Sequence, residues 1–182
     1  MPPKRSIGLC SILSLVCVLH TGTGRAAVEM EADPIAYIEQ GYSLHTALTL
    51  GSDERVQLGL FALDVPGFVL DNRAFSVRYI HGVTLKFDRY VGGGLEGFFY
   101  GIDANDSTAR YRLDATGATA YRDEFSIGPR VGYRFDYGEH FYVTPWLTVS
   151  YLTRGETITL GGQTYKEPRV SLFPTVHFGW WF

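Results

Sequence analysis

The sequence predicts an all-β fold: an antiparallel up-and-down β-barrel of eight strands, with short turns at one end and longer loops at the other. Three observations predict it. Segments of about ten residues alternate apolar and polar side chains from Tyr42 to the last residue, which is the period of a strand with two different environments on its faces. The connections between these segments alternate in length. The composition is rich in Tyr (12), Phe (12) and Gly (21) within 182 residues, which suits strands and turns more than helices.

The last three strands are the cleanest. In Arg169–Phe182, one face carries Val170, Leu172, Pro174, Val176, Phe178, Trp180 and Phe182. The other carries Arg169, Ser171, Thr175, His177 and Gly179, with Phe173 and Trp181 as exceptions. In Phe141–Tyr151, Phe141, Val143, Pro145, Leu147, Val149 and Tyr151 oppose Tyr142, Thr144, Trp146, Thr148 and Ser150. In Tyr121–Phe135, Phe125, Ile127, Pro129, Val131, Tyr133 and Phe135 oppose Arg122, Glu124, Ser126, Gly128, Arg130, Gly132 and Arg134. Earlier strands are expected over Tyr90–Ile102, Ala74–Phe87, Val56–Leu63 and Tyr42–Leu50. An eighth is expected over Val28–Ile38, although Asp33-Pro34 is a helix start signal and a short helix over Ile35–Gln40 is the alternative.

Arginines alternating with large apolar residues fit two architectures. A soluble lipocalin-like sheet would point the arginines into water. A membrane barrel would point the apolar residues at lipid and the arginines into the lumen. Gly51–Arg55, Asp88–Arg89 and Asp136–His140 read as tight turns. Asp64–Arg73, Asp103–Ala120 and Thr153–Pro168 read as long polar loops. Short periplasmic turns and longer extracellular loops are the outer-membrane arrangement, and the membrane reading is preferred.

The N-terminus supports export. Lys4 and Arg5 precede an apolar run, Ile7–Leu19, that is too short to cross a bilayer as a helix. Gly24-Arg25-Ala26 offers small residues for cleavage, so residues 1–26 are expected to be a signal peptide and 27–182 the barrel domain. Cleavage would take Lys+Arg from 16 to 13 against 19 Asp+Glu, near −6. It would also remove Cys10 and Cys17, leaving no thiol for a disulfide or for thiol catalysis. The absence of a basic block argues against a nucleic-acid partner.

The ending His177-Phe178-Gly179-Trp180-Trp181-Phe182 resembles the terminal signature of bacterial outer-membrane β-barrel proteins. Gly-Pro-Arg-Val-Gly-Tyr-Arg-Phe (128–135), Tyr-Val-Thr-Pro-Trp (142–146) and Phe-Pro-Thr-Val-His-Phe-Gly (173–179) are similar to small uncharacterised members. The resemblance implies that the barrel assembly machinery reads Val176, Phe178, Trp180 and Phe182. It also implies outer-membrane lipid and lipopolysaccharide as surroundings.

On the inward phase, Arg78, Lys86, Glu96, Arg122, Glu124, Arg130, Arg134 and His177 are expected to form a lumenal charge network, with Asp88 and Arg169 near it. A narrow eight-stranded barrel has room for side chains and little else, and confined charges must be paired. A structural or interaction role follows, with a narrow solute channel as one alternative. The other is an enzyme acting on lipid A or phospholipid. His177 or His45 with Ser43, Ser126 or Glu96 would supply a base and a nucleophile, but no catalytic residue is assigned. His81 reads as a kink. Pro129, Pro145 and Pro174 mark either one weak seam or three separate bulges. Gly92-Gly93-Gly94 lacks the Lys-Ser/Thr of a phosphate loop, and Asp103, Asp106 and Asp114 lack calcium-loop spacing. No metal or cofactor is expected.

Overall fold

A computed structural model describes residues 28–153 and 157–182. The signal-peptide expectation for residues 1–26 lies outside the described residues. The elements are β1 (Val28–Ala32), α1 (Pro34–Ile38), β2 (Tyr42–Leu50), β3 (Glu54–Asp64), β4 (Phe75–Tyr90), β5 (Gly97–Leu113), β6 (Thr119–Tyr137), β7 (Phe141–Leu152), β8 (Thr157–Leu160), β9 (Gln163–Lys166) and β10 (Val170–Trp181). Eight strands close into an antiparallel barrel in the order β1-β10-β7-β6-β5-β4-β3-β2. Hairpin β8–β9 forms a separate two-stranded sheet.

The barrel is apolar outside and polar inside. Val131, Phe178, Leu85 and Ile102 are exposed, and Leu147 is half-buried on the same outer face. Arg130 and Arg134 are 1% and 0% exposed. On β7 the inward residues Tyr142, Thr144, Trp146, Thr148 and Ser150 are all buried. A soluble binder requires the opposite orientation, so the lipocalin-like alternative does not fit this wall.

Closure depends on a short strand. β1 pairs with β2 from Val28↔Leu48 to Ala32↔Leu44, and with β10 from Glu29↔Trp181 to Ala32↔Phe178. Above Ala32 the chain leaves the sheet. Asp33 caps α1 by accepting from Ile35 N–H at 2.8 Å, and Pro34 occupies the first turn, where its missing N–H costs nothing. The two readings of Val28–Ile38 are therefore both present in sequence, strand first and helix second.

Two expected connections move. β4 continues through Asp88–Arg89 to Tyr90, and the turn is Val91–Glu96, where Gly92 and Gly93 take positive φ (117° and 82°). Asp103–Ala120 is not a loop: β5 and β6 run through most of it as a long hairpin, with the turn at 114–118, and β5 stays paired with β4 as far as Phe75↔Leu113. Beyond the apolar belt the outward residues Asp106, Thr108, Arg110 and Arg112 become polar, and a strand that meets water on its outer face reads as a loop.

The prolines give a clear result. No register shift occurs along β6–β7 or β7–β10, so Pro129, Pro145 and Pro174 are not bulges. Instead, β6–β7 lacks ladder pairs at positions 128–129 and 133–134, which face 149–150 and 144–145. Each gap holds one proline, on opposite strands of the same seam. Pro174 sits elsewhere. Phe182 N–H donates to Val28 O and Trp181 N–H to His140 O, so even-numbered residues of β10 turn their backbone toward β1. At Pro174 that side faces α1, beyond the end of β1, where no strand needs a donor. The irregularity near His81 is real: registers shift between Tyr79 and His81 on β4–β5, and between Phe61 and Leu63 on β3–β4.

Candidate functional site: the lumen

The lower lumen, near the short turns, is filled by one ion-pair network. Arg55 on β3 donates from Nη1 to Glu29 Oε2 (2.8 Å) and Glu31 Oε1 (2.7 Å), and Nη2 lies 3.3 Å from Asp88 Oδ2. Arg134 on β6 reaches Glu29 Oε1 (2.9 Å) and Asp136 (2.6 Å). The Tyr142 hydroxyl lies 2.8 Å from Glu29 and 3.0 Å from Glu31, with the Arg134 guanidinium 3.6 Å above its ring. Gln57 Nε2 donates to Glu31 Oε2, and His177 Nδ1 lies 2.7 Å from the same oxygen. Thr175 Oγ1 donates to Asp33 Oδ2 at 2.8 Å.

Strand geometry produces this convergence. Glu29, Glu31 and Asp33 alternate along one short stretch, so all three face inward from β1 and its exit. Arg55 and Gln57 do the same on β3. The sheet closes through β1, which brings these acids to Arg134, Tyr142 and His177 from the far end of the chain. Both oxygens of Glu29 and both of Glu31 are engaged, as confined charge requires.

Above this layer, Trp146 is central. Lys86 Nζ is 4.5 Å and the Arg130 guanidinium 4.3 Å from its ring. Arg130 Nε is 3.4 Å from Asp88 Oδ1. His45 and His177 rings lie 4.6 Å apart. Ser43 Oγ and His45 Nε2 share a hydrogen bond of 2.8 Å, the contact a nucleophile and its base would make. Both are buried inside the wall, and His45 Nδ1 has no partner to orient the ring. Neither group reaches the outer face, where a membrane lipid would lie.

Of the eight residues expected in the network, Lys86, Arg130, Arg134 and His177 come together here. Glu124 is buried but sits near the upper end, accepting from the Tyr111 hydroxyl at 2.5 Å. The other three are corrected. Glu96 is exposed in the turn before β5, because the glycine run delays the strand to Gly97. Arg78 is half-exposed and pairs with Asp64 at 2.8 Å. Arg122 is exposed near the upper end of β6, where it donates to Tyr121 O at 3.3 Å. Sequence reasoning missed Glu29, Glu31, Asp33, Arg55, Gln57 and Tyr142. The alternation Glu29-x-Glu31-x-Asp33 was the available signal. Phe178 and Trp180 on β10, and Phe182 just beyond it, are exposed. Among the described residues, no group of three or more His, Cys, Asp or Glu is arranged to hold a metal ion.

No protein-family model matches the chain, and no curated protein matches it. Solved structures do. The N-terminal β-barrel domain of Pseudomonas aeruginosa OprF is similar at a TM-score of 0.50 and 14% identity, over 87% of this chain and 100% of that one. A major outer membrane protein from Thermus thermophilus gives 0.49 and 13%, over 87% and 100%. Neisserial surface protein A gives 0.45 and 12%, over 88% and 98%. The likeness to the first, with the closed eight-stranded topology, makes this chain similar in fold to an outer-membrane β-barrel domain.

Proposed function

We propose that this protein is an integral outer-membrane β-barrel with a structural or interaction role, exported by the segment 1–26. Its lumen is sealed by the charged network, and any partner meets the polar end formed by the upper parts of β4–β6 and hairpin β8–β9. The observation that carries this reading is the inverted wall. Apolar side chains cover the outside, while Arg55, Glu29, Glu31, Asp88 and Arg134 interlock inside with almost no exposure. Only a solvent that is itself apolar rewards that orientation.

In this reading the outward face of β10, with Val176, Phe178, Trp180 and Phe182, is what the assembly machinery recognises. Outer-membrane lipid and lipopolysaccharide surround the wall. The buried Ser43–His45 pair has no route to lipid, which weighs against an enzyme.

The test is heat-modifiable gel migration of the protein from outer-membrane fractions, followed by conductance in planar bilayers. A compact, fast-migrating form that conducts no steady current supports the proposal. Recovery in the soluble periplasm overturns the membrane assignment, and a reproducible open channel overturns the sealed lumen.

A further inference from the structure

A second polar cluster lies at the upper end of the barrel, separate from the ion-pair plug. Glu124 faces inward from β6 and is 3% exposed. Its outward neighbours are exposed Asp123 and Phe125 on β6 and Asp106 on β5, which places it at the upper edge of the apolar belt. Hairpin β8–β9 folds over this end. Ile158 and Tyr165 pack on Phe75, Val77, Tyr111 and Leu113, and Asn72 Nδ2 donates to Thr164 O at 3.1 Å.

Glu167 follows the hairpin directly. It lies within hydrogen-bonding reach of both Glu124 and the Tyr111 hydroxyl. Tyr111 donates to Glu124 Oε1, while Glu124 Oε2 is buried without a partner. Among the described residues, Tyr79 on β4 and Tyr165 on β9 also interact with both carboxyls, and Asp71 from the β3–β4 connection acts on Tyr165. Arg122, two residues back on β6, is exposed.

Ionised carboxylates are acceptors only. Two of them facing each other under a hairpin leave one oxygen without a donor, and their charges repel. A proton on one carboxyl supplies the missing donor and removes the repulsion together.

We propose that Glu124 and Glu167 form a proton-sharing latch, which holds hairpin β8–β9 against the barrel mouth in acid and releases it as pH rises. Burial, followed by the Glu124 charge, pushes the Glu167 carboxyl up from 4.5 to about 7. A carboxyl raised in the closed form favours closure fully below 4.5. That preference declines from 4.5 upward and is lost by about 7. At up to tenfold per pH unit, the closed-to-open ratio falls by up to about 300-fold across the window.

The experiment measures distances between spin labels at Gln163→Cys and Thr119→Cys on the full barrel in lipid, from pH 4.5 to 8. The proposal expects a short distance in acid giving way to a broad, longer one above pH 7. In Glu167→Gln, whose amide donates at every pH, the short distance should persist at pH 8. Carbon-13 NMR of the Glu167 carboxyl should find its midpoint near 7. A pH-independent distance in the wild type overturns the latch, as does the same pH dependence in Glu167→Gln, or a carboxyl midpoint near 4.5. Closure at pH 8 on adding calcium chloride, without closure on acidification, makes the pair a cation site and also overturns it.

Discussion

The two ends of the lumen are packed by different means. The lower end interlocks Glu29, Glu31, Arg55, Asp88, Arg134, Tyr142 and His177, drawn from six strands. The upper end packs Phe75, Val77, Tyr111 and Leu113 under Ile158 and Tyr165, much as the core of a soluble protein would. The difference follows from what each end lacks. The lower wall closes through the five residues of β1, which offer few contacts of their own, so side-chain pairs across the lumen tie it to β3, β6, β7 and β10. The upper wall is open at its rim, and burying its inward apolar residues requires a cover. The chain supplies one in β8–β9. Charge therefore ties the strands together where closure is shortest, and apolar packing holds a covering hairpin where the rim is open.

Breaking the lower end should have the largest effect. Arg55→Met leaves Glu29, Glu31 and Asp88 facing one another without their shared cation, and should lower stability by about 3–5 kcal/mol. Denaturant unfolding in detergent micelles measures it. Adding Glu29→Gln and Glu31→Gln to the same protein should recover most of the loss. A loss under about 1 kcal/mol for Arg55→Met would mean that the network fills the lumen without holding it.

Tyr165→Ala tests the upper end and should act locally. It removes a side chain packed against Phe75 and Tyr111, with ring centroids 5.6 and 5.5 Å away. Amide exchange in β8 and β9 should accelerate by at least tenfold, while the global unfolding midpoint moves by less than about 1 kcal/mol equivalent. A global loss comparable to that of Arg55→Met would erase the distinction between the two ends.

The smallest effect belongs to the seam between them. Pro145→Ala restores a backbone donor opposite Tyr133, in a ladder whose register is already correct. A gain of about 0.5–1 kcal/mol is expected, from one added hydrogen bond at a wall with no water to compete. Amides flanking Pro129 and Pro145 should exchange faster than those flanking Pro174, because only the first two interrupt a strand–strand seam. Equal protection at all three sites would remove the seam.

Much of the wall was legible because strand period is a local property. β2 and β7 were expected within one residue of their ends, and the faces of β6, β7 and β10 were correctly divided. The upper extensions of β5 and β6 were not, because past the apolar belt the outward face turns polar, and the lower extension of β4 was hidden because Asp88-Arg89 reads as a turn. The site was half legible for a related reason. Arg130, Arg134 and His177 stand out against large apolar neighbours on long strands. Glu29 and Glu31 lie on a strand of five residues beside a helix signal, where the period is too short to declare itself. Arg122 follows the inward phase by count, yet a count along one strand cannot tell where the wall ends, and Glu96 shares the even-numbered, outward phase of Phe98, Tyr100 and Ile102.

By itself, the sequence determined that the chain makes a two-faced sheet, since side-chain periodicity acts between near neighbours. Only the tertiary structure decided which charges meet. The partners of Glu31 lie 24 residues away at Arg55 and 146 away at His177, and nothing local specifies that distance. Closing the barrel through β1 sets it, by fixing which inward positions of the first and last strands share one level of the lumen.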